Sequence, residues 1–154
     1  MNLPEKECEK IYNNLLKSVI KETGFKGTTN SLELDRMGKL MFGNEWGGVF
    51  SSDTIPRKGK LKKYSITNNK PSTHMGEHWV GIVNEPSLKQ YIIYDSFGRK
   101  TKRLLPTFYK KNKGKIIDTD YDKEQKKRER NCGARVLTWI LFYKMYGRKN
   151  ALKI

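Results

Sequence analysis

The sequence predicts an α+β fold over residues 1–154, and three stretches predict it. An amphipathic helical repeat opens the chain, paired strand-like runs occupy its middle, and an apolar helical run lies near its end. The length suits a single domain with one core. The middle runs predict a central, mostly antiparallel sheet, with the apolar helix buried against it.

The opening repeat places Cys8, Ile11, Leu15 and Val19 on one helical face between Pro4 and Ile20. Pro4 and the acids Glu5, Glu7 and Glu9 lie in or near its first turn, where they suit the positive end of the helix, and Gly24 marks its stop. Cys8 is thus expected to face the core. A second helix is predicted from Ser31 to Met41, with Leu34, Met37, Leu40 and Met41 inward and Ser31 as its cap. Gly43, Gly47 and Gly48 then break the regularity, so Trp46 reads as the aromatic anchor of a packed loop.

From Lys60 to Thr67, Leu61, Tyr64 and Ile66 alternate with polar neighbours, which predicts a strand. Asn68 to Thr73 is a loop by composition. The runs Glu77–Val83 and Gln90–Gly98 flank a turn at Asn84-Glu85-Pro86-Ser87 and read as a hairpin. In an antiparallel pair the start of one strand lies beside the end of the next. His78 and Asp95 occupy those two ends, so an imidazole and a carboxylate are expected to meet. Leu104–Tyr109 follows as a short helix or turn, and Lys115–Thr119 as another strand.

Asn131-Cys132-Gly133 opens the apolar run Ala134–Tyr143. Val136, Ile140 and Tyr143 share a face with Cys132, with Trp139 beside them. A helix start offers unpaired N–H groups and partial positive charge, which can lower a thiol pKa from about 8.5 to roughly 3.5–7.5. Cys132 is the candidate nucleophile, His78 its base and Asp95 the acid that orients the ring. Asp53, Asp118, Asp120 and Asp122 also lie near strand ends or loops and are the alternative acids. His74 is the alternative base, but it falls in a loop, where an i, i+4 metal pair with His78 lacks the helix it needs.

His78-Trp79, Asp95-Ser96-Phe97-Gly98, Gln125 and Cys132-Gly133, in this order, resemble the adenovirus endopeptidase (adenain-like) family of cysteine proteases and the related ubiquitin-like-protein proteases. Gln125 stands 7 residues before Cys132, where that family places its oxyanion glutamine. The resemblance extends weakly to Gly27-Thr28-Thr29 and to Gly48–Asp53. It implies a papain-like, adenain-like domain acting as a thiol endopeptidase, with catalytic His78, Asp95, Gln125 and Cys132. It also implies a substrate cleft near Trp46, Gly48, Val49 and Trp79. Cleavage after small residues such as glycine in viral structural precursor proteins would follow, within the virion and the host-cell interior. No cofactor is needed for that chemistry, and DNA or a peptide is the activator the resemblance admits.

Charge is the strongest compositional signal: 32 basic residues against 16 acidic ones give a formal net charge of +16. Such a chain is expected to bind nucleic acid through phosphates, without base specificity. The candidate contacts are Lys58, Lys60, Lys62 and Lys63 in one cluster, Lys110 and Lys111 in a second, and Lys126 and Lys127 in a third. Arg99-Lys100-Thr101-Lys102-Arg103 is a further basic run. With only Cys8 and Cys132, neither a disulfide framework nor a zinc site is expected. No apolar run approaches the roughly 18 residues of a membrane span and no leader pattern is seen, so a soluble intracellular chain without a membrane partner is expected. Two other classes compete: a nucleic-acid-binding virion core protein without catalysis, and a cysteine-dependent acyltransferase, for which no segment suggests a coenzyme A site.

Overall fold

The hairpin forms where its apolar alternation and turn residues place it. In the computed structural model, which describes residues 1–56, 60–73, 78–119 and 131–154, β3 (Trp79–Glu85) and β4 (Gln90–Tyr94) are joined by a 3-10 turn over Pro86–Leu88. Lys89 closes that turn with a positive φ of 53°. β1 (Trp46–Phe50), β2 (Tyr64–Asn68) and β5 (Ile116–Asp118) complete a five-stranded sheet in the order β1-β2-β3-β4-β5. β2, β3 and β4 are antiparallel neighbours, whereas β1 runs parallel to β2 and β5 parallel to β4. The sheet is therefore mixed, not mostly antiparallel. Parallel neighbours need a crossover, and between β4 and β5 the chain forms α3 (Thr101–Leu104) and α4 (Pro106–Lys111).

β1 departs from the loop expected of its glycines. The register shifts between Trp46 and Gly48, a bulge at Gly47. A Cβ on Gly47 would lie 2.5 Å from Ser65 Oγ, and Gly48 holds a φ of +126° that side-chain-bearing residues rarely adopt. The glycines carry the strand through its irregularity instead of ending it.

Period-two alternation sorts the central side chains between two cores. Val80, Ile82, Tyr91 and Ile93 pack with Leu104, Leu105 and Phe108 on one face. Ile66, Val83, Ile92 and Tyr94 meet the long helices on the other. These are α1 (Glu5–Thr23), α2 (Ser31–Phe42) and α5 (Cys132–Tyr146). Gly81 lets α5 lie close over β3, since a Cβ there would come within 3.1 Å of Val136 Cγ1. Residues Gly133 to Ile140 of α5 are all buried, more than a single stripe, as expected of a helix apolar on all sides. Trp139 stacks on Tyr94 with centroids 5.1 Å apart and donates its indole N–H to Ala151 O at 3.0 Å, tying α6 (Arg148–Ala151) to the core.

α1 ends at Gly24 in a left-handed conformation, with Cys8 fully buried on its inner face. α2 is capped by Asn30, not Ser31. Asn30 Oδ1 accepts the Glu33 N–H and Glu33 Oε1 accepts the Asn30 N–H, both at 2.9 Å. Leu40, expected inward, is exposed. Among the described residues, no helix is long and apolar enough to cross a membrane.

Candidate active site

The antiparallel register that pairs Gly81 with Tyr94 brings together the residue before β3 and the residue after β4. They are His78 and Asp95, 4% and 2% exposed. His78 Nε2 is hydrogen-bonded to Asp95 Oδ1. The other carboxylate oxygen, Oδ2, accepts the Arg99 backbone N–H and the Arg99 Nε–H, both at 2.9 Å. The turn that returns Arg99 to Asp95 is closed by the Gly98 N–H donating to Asp95 O at 2.9 Å. Phe97 packs on the imidazole at 5.1 Å between centroids, and the Arg99 guanidinium lies 5.2 Å from the Phe97 ring centre.

Cys132 is the first residue of α5 and is partly exposed. No side-chain hydrogen bond from Asn131 caps this helix; its Oδ1 instead accepts from Arg135 Nε at 3.1 Å. The Cys132 thiol is acted on electrostatically by His78 and by the backbone N–H groups of Trp79 and Gly133. Since Nε2 is engaged by Asp95, Nδ1 is the ring nitrogen left for the sulfur.

The electrostatics of the three groups interlock. Burial pushes the Cys132 thiol up, but the hydrogen bond to His78, the imidazolium charge and the two backbone N–H groups outweigh it and hold the thiol below its ordinary 9.0. Burial pushes the His78 imidazolium down, and the bonds to Asp95 and Cys132 carry it instead above the ordinary 6.5. Burial likewise disfavours ionised Asp95, yet hydrogen bonds from His78 and Arg99 bring it down to about 2. Asp95 therefore stays a carboxylate, and the shifts of the other two both run toward the thiolate–imidazolium form.

Trp79 is half-buried and donates its indole N–H to Thr29 O at 3.1 Å. It lines a cavity of about 430 Å³ together with Val49, Thr29, Asn30, Phe50 and Lys70. Trp46 and Gly48 are not among the residues lining that cavity. Trp46 is buried in the core, stacked on Phe42 at 5.7 Å, with its ring against Gly38 and its N–H on Asp35 Oδ1 at 2.8 Å. Gly48 lies on β1 beside Phe50.

Two of the alternative acids are engaged elsewhere. Asp53 accepts the Ser72 N–H and hydroxyl, both at 2.8 Å, and Asp118 accepts the Thr101 hydroxyl. Asp120, Asp122, His74, Gln125, Lys58, Lys126 and Lys127 lie outside the described residues. Lys60, Lys62, Lys110 and Lys111 are exposed, and Lys63 lies partly covered with its Nζ 5.6 Å from the Tyr64 ring centre.

Arg99 is the site residue that sequence reasoning missed. Its signal was the four-residue interval from Asp95, hidden inside a basic run that reads as a polyanion contact. Among the described residues, no group of three or more His, Cys, Asp or Glu side chains is placed to hold a metal ion. The arrangement can deprotonate a thiol and keep the resulting imidazolium oriented, which is the equipment of nucleophilic acyl chemistry. No protein-family model matches the chain, and no curated protein matches its sequence.

Proposed function

We propose that the protein is a thiol endopeptidase of the adenovirus endopeptidase-like kind, built on a Cys132-His78-Asp95 triad. The observation that carries this is convergence from three separate elements. The imidazole before β3 is hydrogen-bonded to a buried carboxylate after β4 and is coupled electrostatically to a thiol at the start of α5.

In the acylation step, His78 holds the proton lost by Cys132, and the sulfur attacks the scissile carbonyl carbon. A C–S bond forms as the carbonyl π electrons move to oxygen. That oxyanion would be held by the Cys132 backbone N–H and, as the family resemblance implies, by the Gln125 side-chain amide, donors whose individual loss costs about 10²–10³ in rate at comparable sites. The tetrahedral species collapses, the C–N bond breaks, and the imidazolium proton goes to the leaving amine. In deacylation, water gives a proton to His78 and attacks the thioester. The C–S bond breaks, the acid product leaves and the thiolate–imidazolium pair is restored.

The substrates are viral structural precursor proteins, cleaved after small residues such as glycine, within the virion or the infected cell. The cavity beside Trp79 and Val49 would hold the residues preceding the scissile bond. DNA is the partner that the net charge of +16 favours, as an activating or localising surface.

Hydrolysis of glycine-containing fluorogenic peptides by the wild type and by Cys132→Ala, each with and without double-stranded DNA, tests this. Cleavage that disappears in Cys132→Ala is expected, with a salt-sensitive increase when DNA is added. Cleavage retained by Cys132→Ala removes the assigned nucleophile. Absence of any cleavage, together with Cys132 alkylation no faster than that of Cys8, removes the protease.

A further inference from the structure

A second and larger cavity, of about 770 Å³, adjoins the triad through Arg99, the residue that holds Asp95. Among the described residues its walls carry four cations, Lys70, Arg99, Arg103 and Lys111, against one carboxylate, Asp53. That carboxylate is turned to Ser72, whose N–H and hydroxyl it accepts at 2.8 Å each. The rest of the lining includes buried Leu104, Leu105 and Phe108, together with Ile55 and Pro106. Lys70 and Pro71 also line the smaller cavity in which Trp79 sits, so the two hollows adjoin.

We propose that this cavity is a subsite for acidic side chains of the substrate polypeptide, on the side following the scissile bond. The assignment rests on the proteolytic role of the triad. His78 delivers its proton to the leaving amine, and Asp95 and Arg99 lie beyond the imidazole from the sulfur. Chain on the leaving side is thereby directed toward Arg99. A cationic wall over an apolar floor selects an acidic side chain flanked by apolar ones, since charge complementarity supplies selectivity while the floor supplies buried area. Lys111, which the sequence suggests as a phosphate contact, takes its place here as a carboxylate contact. A DNA duplex is met along its outer backbone, which suits exposed lysines such as Lys102 and Lys110 better than an apolar-floored hollow.

The test uses the full-length Cys132→Ala protein and a fluorescein-labelled peptide with glycine at the cleavage position and Asp and Glu in the positions following it. A twin peptide carries Asn and Gln instead, and anisotropy reads both at about 150 mM salt, where long-range attraction is screened. The acidic peptide is expected to bind at least about tenfold more tightly than its twin, a difference typical of charge-assisted hydrogen bonds. Arg103→Ser with Lys111→Ser should bring the ratio to about one by removing those bonds. Both residues are exposed, so the fold should survive. Lys17→Ser with Lys21→Ser removes the same two charges from α1, which does not line the cavity, and should keep the ratio. Arg103→Glu with Lys111→Glu should reverse the preference toward a lysine-bearing twin.

Equal binding of the two peptides, or equal loss in both serine pairs, overturns the subsite. So does duplex DNA that displaces the acidic peptide and is itself weakened by the Arg103/Lys111 pair, which would assign the cavity to nucleic acid. Because Cys132→Ala carries no nucleophile, selective binding stands even if the wild type cleaves nothing, an outcome that sinks only the protease. Conversely, wild type that cleaves both twins with equal kcat/KM keeps the protease and sinks the subsite.

Discussion

Arg99 holds Asp95 chiefly by Oδ2, and its Nη2 reaches the Oδ1 that bonds His78 only at 3.5 Å. Its backbone N–H and Nε–H both reach Oδ2 at 2.9 Å, while Oδ1 bonds the imidazole. The carboxylate is thus fixed in rotation as well as in charge. Arg99→Met should lower kcat by about tenfold or more, because an imidazole swung off line loses the advantage of preset geometry. Arg99→Lys should recover part of the loss, having the charge but not the fork. Steady-state kinetics of both variants checks this, and a change confined to KM would place Arg99 in substrate binding alone.

Asp95 also links stability to pH. Its folded pKa, about 2, lies below the ordinary 3.8. A depressed carboxylate pKa contributes stability that is fully present above 3.8 and is lost as pH falls through about 2. The shift corresponds to about 2 kcal/mol at the usual 1.36 kcal/mol per unit. Urea unfolding at pH 5 and pH 2 should show the difference between wild type and Asp95→Asn shrinking by about that amount. A difference independent of pH would mean that Asp95 is not held as a carboxylate by His78 and Arg99.

The Cys132–His78 pair predicts the pH dependence of alkylation. The thiol is lowered from 9.0 and the imidazole raised from 6.5, both toward the thiolate–imidazolium form, whose population peaks between the pair's two apparent values. Activity should follow a bell across that window. Iodoacetamide should label Cys132 at neutral pH at least about tenfold faster than Cys8, which is fully buried and whose thiol burial pushes up. His78→Ala should move the onset of Cys132 labelling to higher pH. An unmoved onset would show that the imidazole does not stabilise the thiolate.

The parts of this site legible in the sequence are those set by local period. Alternation over Val80–Val83 and Tyr91–Tyr94 fixes a hairpin register, and that register brings His78 and Asp95 within reach of each other at one end of the pair. Helical spacing likewise puts Cys132 at the start of α5. What was not legible depended on contacts between distant segments. β1 hides behind Gly47 and Gly48, whose strand is made by pairing with β2 across a bulge. Trp46 suggests a pocket wall until α2 brings Gly38 against its ring, where a Cβ would fall 2.1 Å from Cε2. Arg99 shows the same limit in charge: an exposed basic run and a buried ion pair look alike until the turn at Gly98 is formed.

Nucleic-acid binding should be sequence-independent and steep in salt. Lys60, Lys62 and Lys110 are exposed on a chain of net charge +16. Each phosphate contact contributes about 0.9 to the slope of log K against log salt for duplex DNA. Replacing all three with serine should therefore reduce that slope by between about two and three, equally on unrelated duplexes. An unchanged slope would place the DNA surface elsewhere on the chain.

Gly133 is the last point at which a small change should carry far. It follows the nucleophile, and a Cβ there would lie 2.1 Å from Thr29 Oγ1 and 3.1 Å from Leu34 Cδ2. Thr29 is also the residue whose carbonyl accepts the Trp79 indole N–H, so it touches both the start of α5 and the residue after the base. Gly133→Ala must push these segments apart, at a cost of about 1–3 kcal/mol for overpacking. The displaced sulfur should lower kcat by about a hundredfold, the scale on which a misplacement near 1 Å acts. Thr29→Ala removes the clashing hydroxyl while keeping the carbonyl. The double variant Thr29→Ala/Gly133→Ala should recover most of the stability and part of kcat, and thermal unfolding with kinetics on the four proteins of that cycle measures the coupling. Strictly additive losses would mean that Gly133 is constrained by something other than Thr29.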